Sequence, residues 1–257
     1  ALAAGVVEPG CVLDSSGTVE AIMVPLAQPV LDHAHTGGMS CGCHTARDRY
    51  YLIGGVMSGG VVDWLSRLLG GDDSPEAIAR LMEEAASSPP GAHGLWFEPY
   101  LDGAASRPRD PEAWGAWLGL RLHHTRADLA RAAMEGLSFG IRYLSEGIQE
   151  ATRSPIRELR AVGGGTRNAW WQQLKADVLG VPIETLVVSD VTAQGAALLA
   201  GLGIGMFADE THAIARAYRP ATRYQVDRDL HAKYDAAYRD GFVKLYPALK
   251  ALPLHAA

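Results

Sequence analysis

The chain has few cysteines, no long apolar run and no excess of basic residues, and each shortage removes a class of protein. Three cysteines in 257 residues, Cys11, Cys41 and Cys43, are an odd number. Cys41 and Cys43 are separated by one residue, which is poor geometry for a mutual disulfide, so a reducing, cytoplasmic setting is expected. No stretch approaches the roughly 18 consecutive apolar residues of a membrane span. The start lacks a basic segment followed by an apolar core, so no secretory signal is read there. A formal net charge of -6 and a pI near 5.8 argue against a nucleic-acid partner, which would meet a basic face. Neither Gly-Lys-Ser/Thr of a P-loop nor G-x-G-x-x-G of a dinucleotide fold is present. Composition is otherwise that of a globular domain, 48% hydrophobic and 20% charged.

The first residue is not Met, and Ala1-Leu2-Ala3-Ala4 reads as the end of a helix closed by Gly5, with a turn at Pro9-Gly10. This start is taken as the mark of a piece of a longer chain. Cys11 to Leu13 running into Asp14-Ser15-Ser16-Gly17-Thr18, then Glu20 to Leu26 and Arg49 to Ile53, read as three strands. Asp32 to Asp48 reads as a polar loop, Val61 to Leu69 as a short helix, and Ser74 to Ala86 as a helix with Pro75 in its first turn. Leu101 to Trp114 is a loop rich in Pro, Gly and Arg. From Arg126 to Glu150 apolar residues recur at helical spacing. Strand, helix, strand and helix follow at 156–162, 168–179, 182–188 and 191–202, and a charged helix over 227–249 closes the chain. A meander followed by α/β alternation predicts one mixed sheet of about five strands covered by helices. Residues 70–115 are expected to be an insertion within a single domain.

Two small-residue turns invite phosphate. Asp14-Ser15-Ser16-Gly17-Thr18 lets a ligand approach backbone and offers hydroxyl and amide donors, although such a turn is more often just a turn. Gly163-Gly164-Gly165-Thr166-Arg167-Asn168 lies between a strand end and a helix start, with Asn168 as N-cap and the helix dipole favouring an anion. Its bland alternative is a flexible connection. Gly59-Gly60, opening a helix after Ser58, suits either a ligand or a neighbouring backbone.

The residues Gly115-Ala116-Trp117-Leu118-Gly119-Leu120, then Asp128-Leu129, then Ala132-Ala133-Met134-Glu135-Gly136, resemble the second signature of the FGGY carbohydrate kinases. GGGTRNAWWQQLKADVLGVPI (Gly163 to Ile183) is similar to that family's adenosine-binding segment, TAQGAALLA (Thr192 to Ala200) to the small-residue helix after it, and VLDSSGTVEAIM (Val12 to Met23) to its second phosphate loop. The resemblance implies an α/β domain of the actin/hexokinase ATPase type (ribonuclease H-like) with helices on both faces. It would be the C-terminal, nucleotide-binding half of a two-domain kinase that uses ATP and Mg²⁺ on a sugar or polyol. It places Gly164, Gly165, Thr166 and Asn168 at the adenosine and α-phosphate, Ser16, Gly17 and Thr18 at the β- and γ-phosphates, and Gly59 beside the nucleotide. It also implies that the catalytic aspartate and most sugar contacts lie upstream of Ala1, so that these 257 residues alone bind nucleotide without turnover. The Asp-Ser-Ser-Gly-Thr loop leans to a pentulose acceptor, and the C-terminal helices can meet a second subunit in a homodimer. A non-catalytic sugar-responsive regulator or assembly protein of the same fold is the competing reading, and the glycines of both loops weigh against it.

Other constellations are given structural roles. His33, His35, Cys41, Cys43 and His44 supply enough donors for zinc, but the single residue between the cysteines is short of the usual two to four. His123-His124 with Asp128 could pair a base and its orienter, though Thr125 capping a helix is the simpler account. Asp63 and Glu135 are left open between cleft and surface.

Overall fold

In this computed structural model residues 1–32 and 36–252 are described. The first residues form a turn in which Gly5 N donates to Leu2 O and Val6 N to Ala1 O, the paired bonds that close a helix, with Gly5 left-handed at φ +64°. Strands β1 (Cys11–Ser16) and β2 (Val19–Leu26) are antiparallel, β2 pairs with β4 (Tyr50–Met57), and β3 (Ser40–Cys43) pairs with the far edge of β4. Helices α1 (Gly59–Gly70) and α2 (Pro75–Ser87) follow, then a small hairpin of β5 (Trp96–Glu98) and β6 (Ala116–Leu118). The 27-residue α3 (Arg126–Thr152) crosses back to β7 (Glu158–Gly163), which lies parallel to β1.

Then come α4 (Ala169–Leu179), β8 (Ile183–Leu186), α5 (Val191–Gly203), α6 (Glu210–Ala217), β9 (Pro220–Tyr224), α7 (Arg228–Asp240) and α8 (Leu245–Lys250). The sheet order is β3-β4-β2-β1-β7-β8-β9. It has seven strands rather than about five. The two unforeseen members are edges: β3 is Ser-Cys-Gly-Cys, too short to show a period, and β9 is almost wholly exposed. The β5–β6 hairpin flanks the loop expected at 101–114. The closing helix is two helices, because Gly241 lies under the Trp96 ring and Pro247 cannot donate within a continuous helix.

Alternation along β7 separates the two faces of the sheet. Leu159 and Ala161 join Val12, Ile22, Leu52, Ile141 and Leu144 in the core under α3. Arg160 points the other way, donating to Ala4 O at 2.8 Å and stacking on Tyr218, so the N-terminal turn and the α6 region cover that face. A second core joins α1, α2, α3, α4 and α7, and takes in Tyr234, Tyr238 and, partly buried, Leu230 and Leu245. No helix among the described residues is long and apolar enough to cross a membrane.

The Gly115–Gly136 signature proves to be packing. Trp117 stacks on Trp64 and tilts onto Phe97, with ring centroids 5.7 and 4.7 Å away. Asp128 closes a capping box with Thr125 at the start of α3. Gly136 meets the carbonyl of Phe97, leaving no room for a Cβ.

Candidate functional site

Three backbone segments from distant parts of the chain meet at one end of the sheet. β1 ends at Ser16, and Gly17-Thr18 turn the chain into β2. The parallel β7 ends beside it at Gly163, whose φ of +93° and close approach to the Ser16 carbonyl both require glycine. A single 3₁₀ turn over Gly164–Arg167 leads into α4, which Asn168 caps by accepting from Trp171 N at 2.8 Å. The third segment is the start of α1. Gly59 N donates to Gly17 O at 3.1 Å, while Ser58 N and Gly60 N donate to Thr18 O at 3.1 and 3.0 Å. Turn and helix start are therefore stapled together.

Between these segments lies a cleft of about 370 Å³. Ser16, Gly17, Thr18, Gly59, Gly164, Gly165 and Asn168 all line it. Its apolar wall comes from Trp171 on α4, Val62 on α1, and Ile78 and Met82 on α2, so a helix from segment 70–115 contributes to the site. Thr166 does not line the cleft, because its hydroxyl turns back to Gly163 O at 2.7 Å. The Ser16 hydroxyl donates to the buried Glu20 Oε1 at 2.8 Å. Any contact of Ser16 with a phosphate would therefore compete with this bond. Thr18 is exposed, and among the described residues nothing bonds its hydroxyl.

Beneath the turn sits a charged group that sequence reading did not assemble. Lys175 of α4, fully buried, lies 2.6 Å from Asp14 Oδ2 and 2.7 Å from Glu20 Oε1, both also fully buried. Ser58 Oγ donates to the other Glu20 oxygen at 2.6 Å. Burial and the neighbouring Glu20 charge push the Asp14 carboxyl up to about 8. Burial also opposes ionisation of Glu20, but the Lys175 charge and the hydrogen bonds it receives outweigh that and hold it low. A usable signal existed: Lys175 falls on the buried stripe of α4 with Trp171, Leu174 and Val178, and a lysine there needs a buried acid.

Asp63, half-buried on α1, lines the cleft, and Arg167 does so from the opposite turn. Glu135 lies elsewhere, buried under Arg131, Tyr234 and the Gly91 amide. Asp128 is held by Thr125, Ser88 and His93, and His123 stacks near His124 outside the cleft. Of the zinc candidates, His33 and His35 lie outside the described residues. Cys41 and Cys43 are on β3, and His44 Nδ1 accepts from Ala46 N.

A turn of small residues, a glycine-rich strand-to-helix turn and a glycine-opened helix surround an apolar-walled cleft whose shape and lining would suit a ligand with an anionic end and a flat apolar end. Comparison with known proteins agrees with the architecture. The profile of the FGGY family of carbohydrate kinases, C-terminal domain, matches residues 12–204. The xylulose kinase of Staphylococcus epidermidis is 30% identical over 239 residues, which are 93% of this chain and 47% of that protein. The glycerol kinase of Synechocystis sp. is 39% identical over 159 residues, 61% of this chain and 31% of that one. The crystal structure of xylulose kinase from Rhodospirillum rubrum superposes with a TM-score of 0.86 at 32% identity, covering 97% of this chain and 49% of its own. The chain thus spans about half the length of these kinases and has the mixed-sheet, actin/hexokinase-type fold. By profile, sequence and fold together, it belongs to the FGGY family of carbohydrate kinases, to the part that is their C-terminal domain.

Proposed function

We propose that this chain supplies the nucleotide-binding half of an ATP-dependent kinase acting on a hydroxyl of a sugar or polyol. The observation that carries the reading is the convergence of the Ser16–Thr18 turn, the Gly164–Gly165 turn and Gly59 on one cleft. Phosphoryl transfer asks a protein mainly to position phosphates and balance their charge. The Gly164–Gly165 turn at the N-terminal end of α4 suits an anionic group, the exposed Thr18 hydroxyl suits a phosphate oxygen, and the wall of Ile78, Met82 and Trp171 suits a purine.

Mg²⁺ fits this cleft as a passenger of the nucleotide. Asp14 and Glu20 are enclosed and already held by Lys175, which leaves Asp63 as the lining carboxylate. Mg²⁺ keeps several waters and binds through one or two carboxylates plus substrate phosphates, and its charge balances the phosphates when it is bound. Asp63 would hold it, while Thr18 would orient the phosphate chain and Gly17 and Gly59 would leave it room. The relatives are named as xylulose and glycerol kinases, which supports a ketose or polyol acceptor. Since the chain spans about half their length, we assign the sugar contacts and the base that takes the hydroxyl proton to the half it does not cover.

The test is a calorimetric titration with Mg-ADP of the wild-type chain and of Gly164→Trp. A Cβ at Gly164 meets nothing within 4 Å, so the variant is expected to fold with its indole across the cleft mouth. Saturable binding by the wild type, lost in the variant, supports the reading. A folded wild type indifferent to millimolar Mg-ADP and Mg-ATP overturns it in favour of a non-catalytic regulator or assembly protein.

A further inference from the structure

The α1 N-terminus holds an anomaly. Ser58 stands at the N-cap, where a serine hydroxyl ordinarily accepts from the first turn, yet it makes no cap hydrogen bond. Its hydroxyl donates instead to Glu20 Oε2 at 2.6 Å. On the facing turn, Ser16 directs its only hydroxyl proton to the other oxygen of the same carboxylate. The hydroxyls of Ser16 and Ser58 are thus both drawn onto one buried carboxylate, and Thr18 is the exposed hydroxyl residue of the turn. Lys175 contacts that carboxylate, Asp14 and, at 3.3 Å, Ser16 Oγ, and its ammonium lies 5.3 Å from the ring centre of Trp171 on the cleft wall.

We propose that Lys175, Asp14 and Glu20 act as positioning residues for nucleotide phosphates, holding the Ser16-Gly17-Thr18 turn and the Ser58-Gly59 helix start, alongside the backbone bonds that join them, as one rigid cradle with Gly17, Thr18 and Gly59 toward the cleft. The proposal rests on the nucleotide reading above. Its physical basis is that stability does not call for such a group. A buried ion cluster is commonly no more stabilising than apolar side chains of the same volume. What ions with several hydrogen bonds add is a unique arrangement of the parts they touch, and here those parts are the two segments of the cradle. The adenosine end of the cleft, at Gly164, Gly165 and Asn168, is not bonded to Asp14, Glu20 or Lys175. The network reaches the purine wall only through the 5.3 Å contact of Lys175 with the Trp171 ring, so its loss weakens chiefly the hold on the β-phosphate.

The experiment compares the wild-type chain with a charge-free triple variant, Asp14→Asn, Glu20→Gln and Lys175→Met, for binding of AMP and of Mg-ADP by calorimetry. The expected result is a folded protein whose Mg-ADP affinity falls at least tenfold while its AMP affinity stays within about twofold. Equal loss for both ligands, or no loss for either, overturns the proposal, since a merely structural role would not separate them. If the triple variant does not fold, Ser58→Ala cuts one arm of the network and is read the same way, with a threefold or larger loss confined to Mg-ADP expected. A wild type that binds neither ligand overturns the nucleotide reading and this inference together. A wild type that binds both, beside a variant that binds both equally well, overturns this inference alone.

Discussion

Lys175 Nζ stands 2.6 Å from Asp14 Oδ2, a buried ion pair between residues 161 positions apart that ties α4 to β1 with neither side chain exposed. Removing the lysine alone would leave the buried, ionised Glu20 carboxylate without its cation. Breaking a buried pair from one side typically costs about 3–5 kcal/mol. Lys175→Met is therefore expected to be destabilised by that order in urea titration at pH 7, and adding Asp14→Asn and Glu20→Gln to recover most of the loss. If the triple variant is no more stable than the single one, the charge cluster is not the source of the effect.

Gly59 and Gly164 both line the cleft but differ in what surrounds them. A Cβ at Gly59 would strike the Gly17 carbonyl that its own amide bonds, whereas at Gly164 it would enter open space. Gly59→Ala is expected to lose roughly 1–3 kcal/mol through the strain of an overpacked site and to weaken Mg-ADP binding. Gly164→Ala is expected to unfold within about 0.5 kcal/mol of wild type. Equal stability of the two variants would show that the turn and α1 are not locked together.

Gly136 tests the meaning of the family signature in this chain. It sits mid-helix in α3, where glycine costs about 1 kcal/mol relative to alanine, and Phe97 O occupies the place of its missing Cβ. Gly136→Ala is expected to lower the thermal midpoint by several degrees despite its better propensity, without changing affinity for Mg-ADP. A rise in the midpoint would refute the packing account.

What could be read beforehand followed from local rules. Asn168 capping α4, Thr125 capping α3 and Pro75 opening α2 each need only neighbours in sequence, and the apolar stripe of α3 shows at its own period. The edges β3 and β9 escaped because a strand of Ser-Cys-Gly-Cys, or an exposed Pro-Ala-Thr-Arg-Tyr, is defined by its partner rather than its composition. The glycine turns were legible as a site through their small residues. The inward turn of Ser16 was not, since Lys175 lies 159 residues away and nothing in the loop announces it. The bond of Thr166 was hidden for a similar reason: a hydroxyl in a phosphate-like turn has a backbone carbonyl three residues back as a competing acceptor.

Glu98 gives the protein a measurable dependence on pH. Its carboxyl is 1% exposed on β5, and neither oxygen has a hydrogen-bond partner among the described residues. Burial pushes it up from the ordinary 4.5 to about 8, so the folded state keeps the proton where the unfolded chain has released it. A folded state that binds more protons loses stability as pH rises. The contribution of Glu98 is thus fully present below about pH 4.5 and fades as pH climbs through about 8, at no more than about 1.4 kcal/mol per pH unit. Asp14, shifted in the same direction, adds to the slope. Glu98→Gln stays neutral at every pH, so its urea midpoint, compared with wild type at pH 5, 7 and 9, is expected to fall less between the first and the last. Parallel curves for the two proteins would mean that Glu98 is ionised in the folded state and that a cation reaches it.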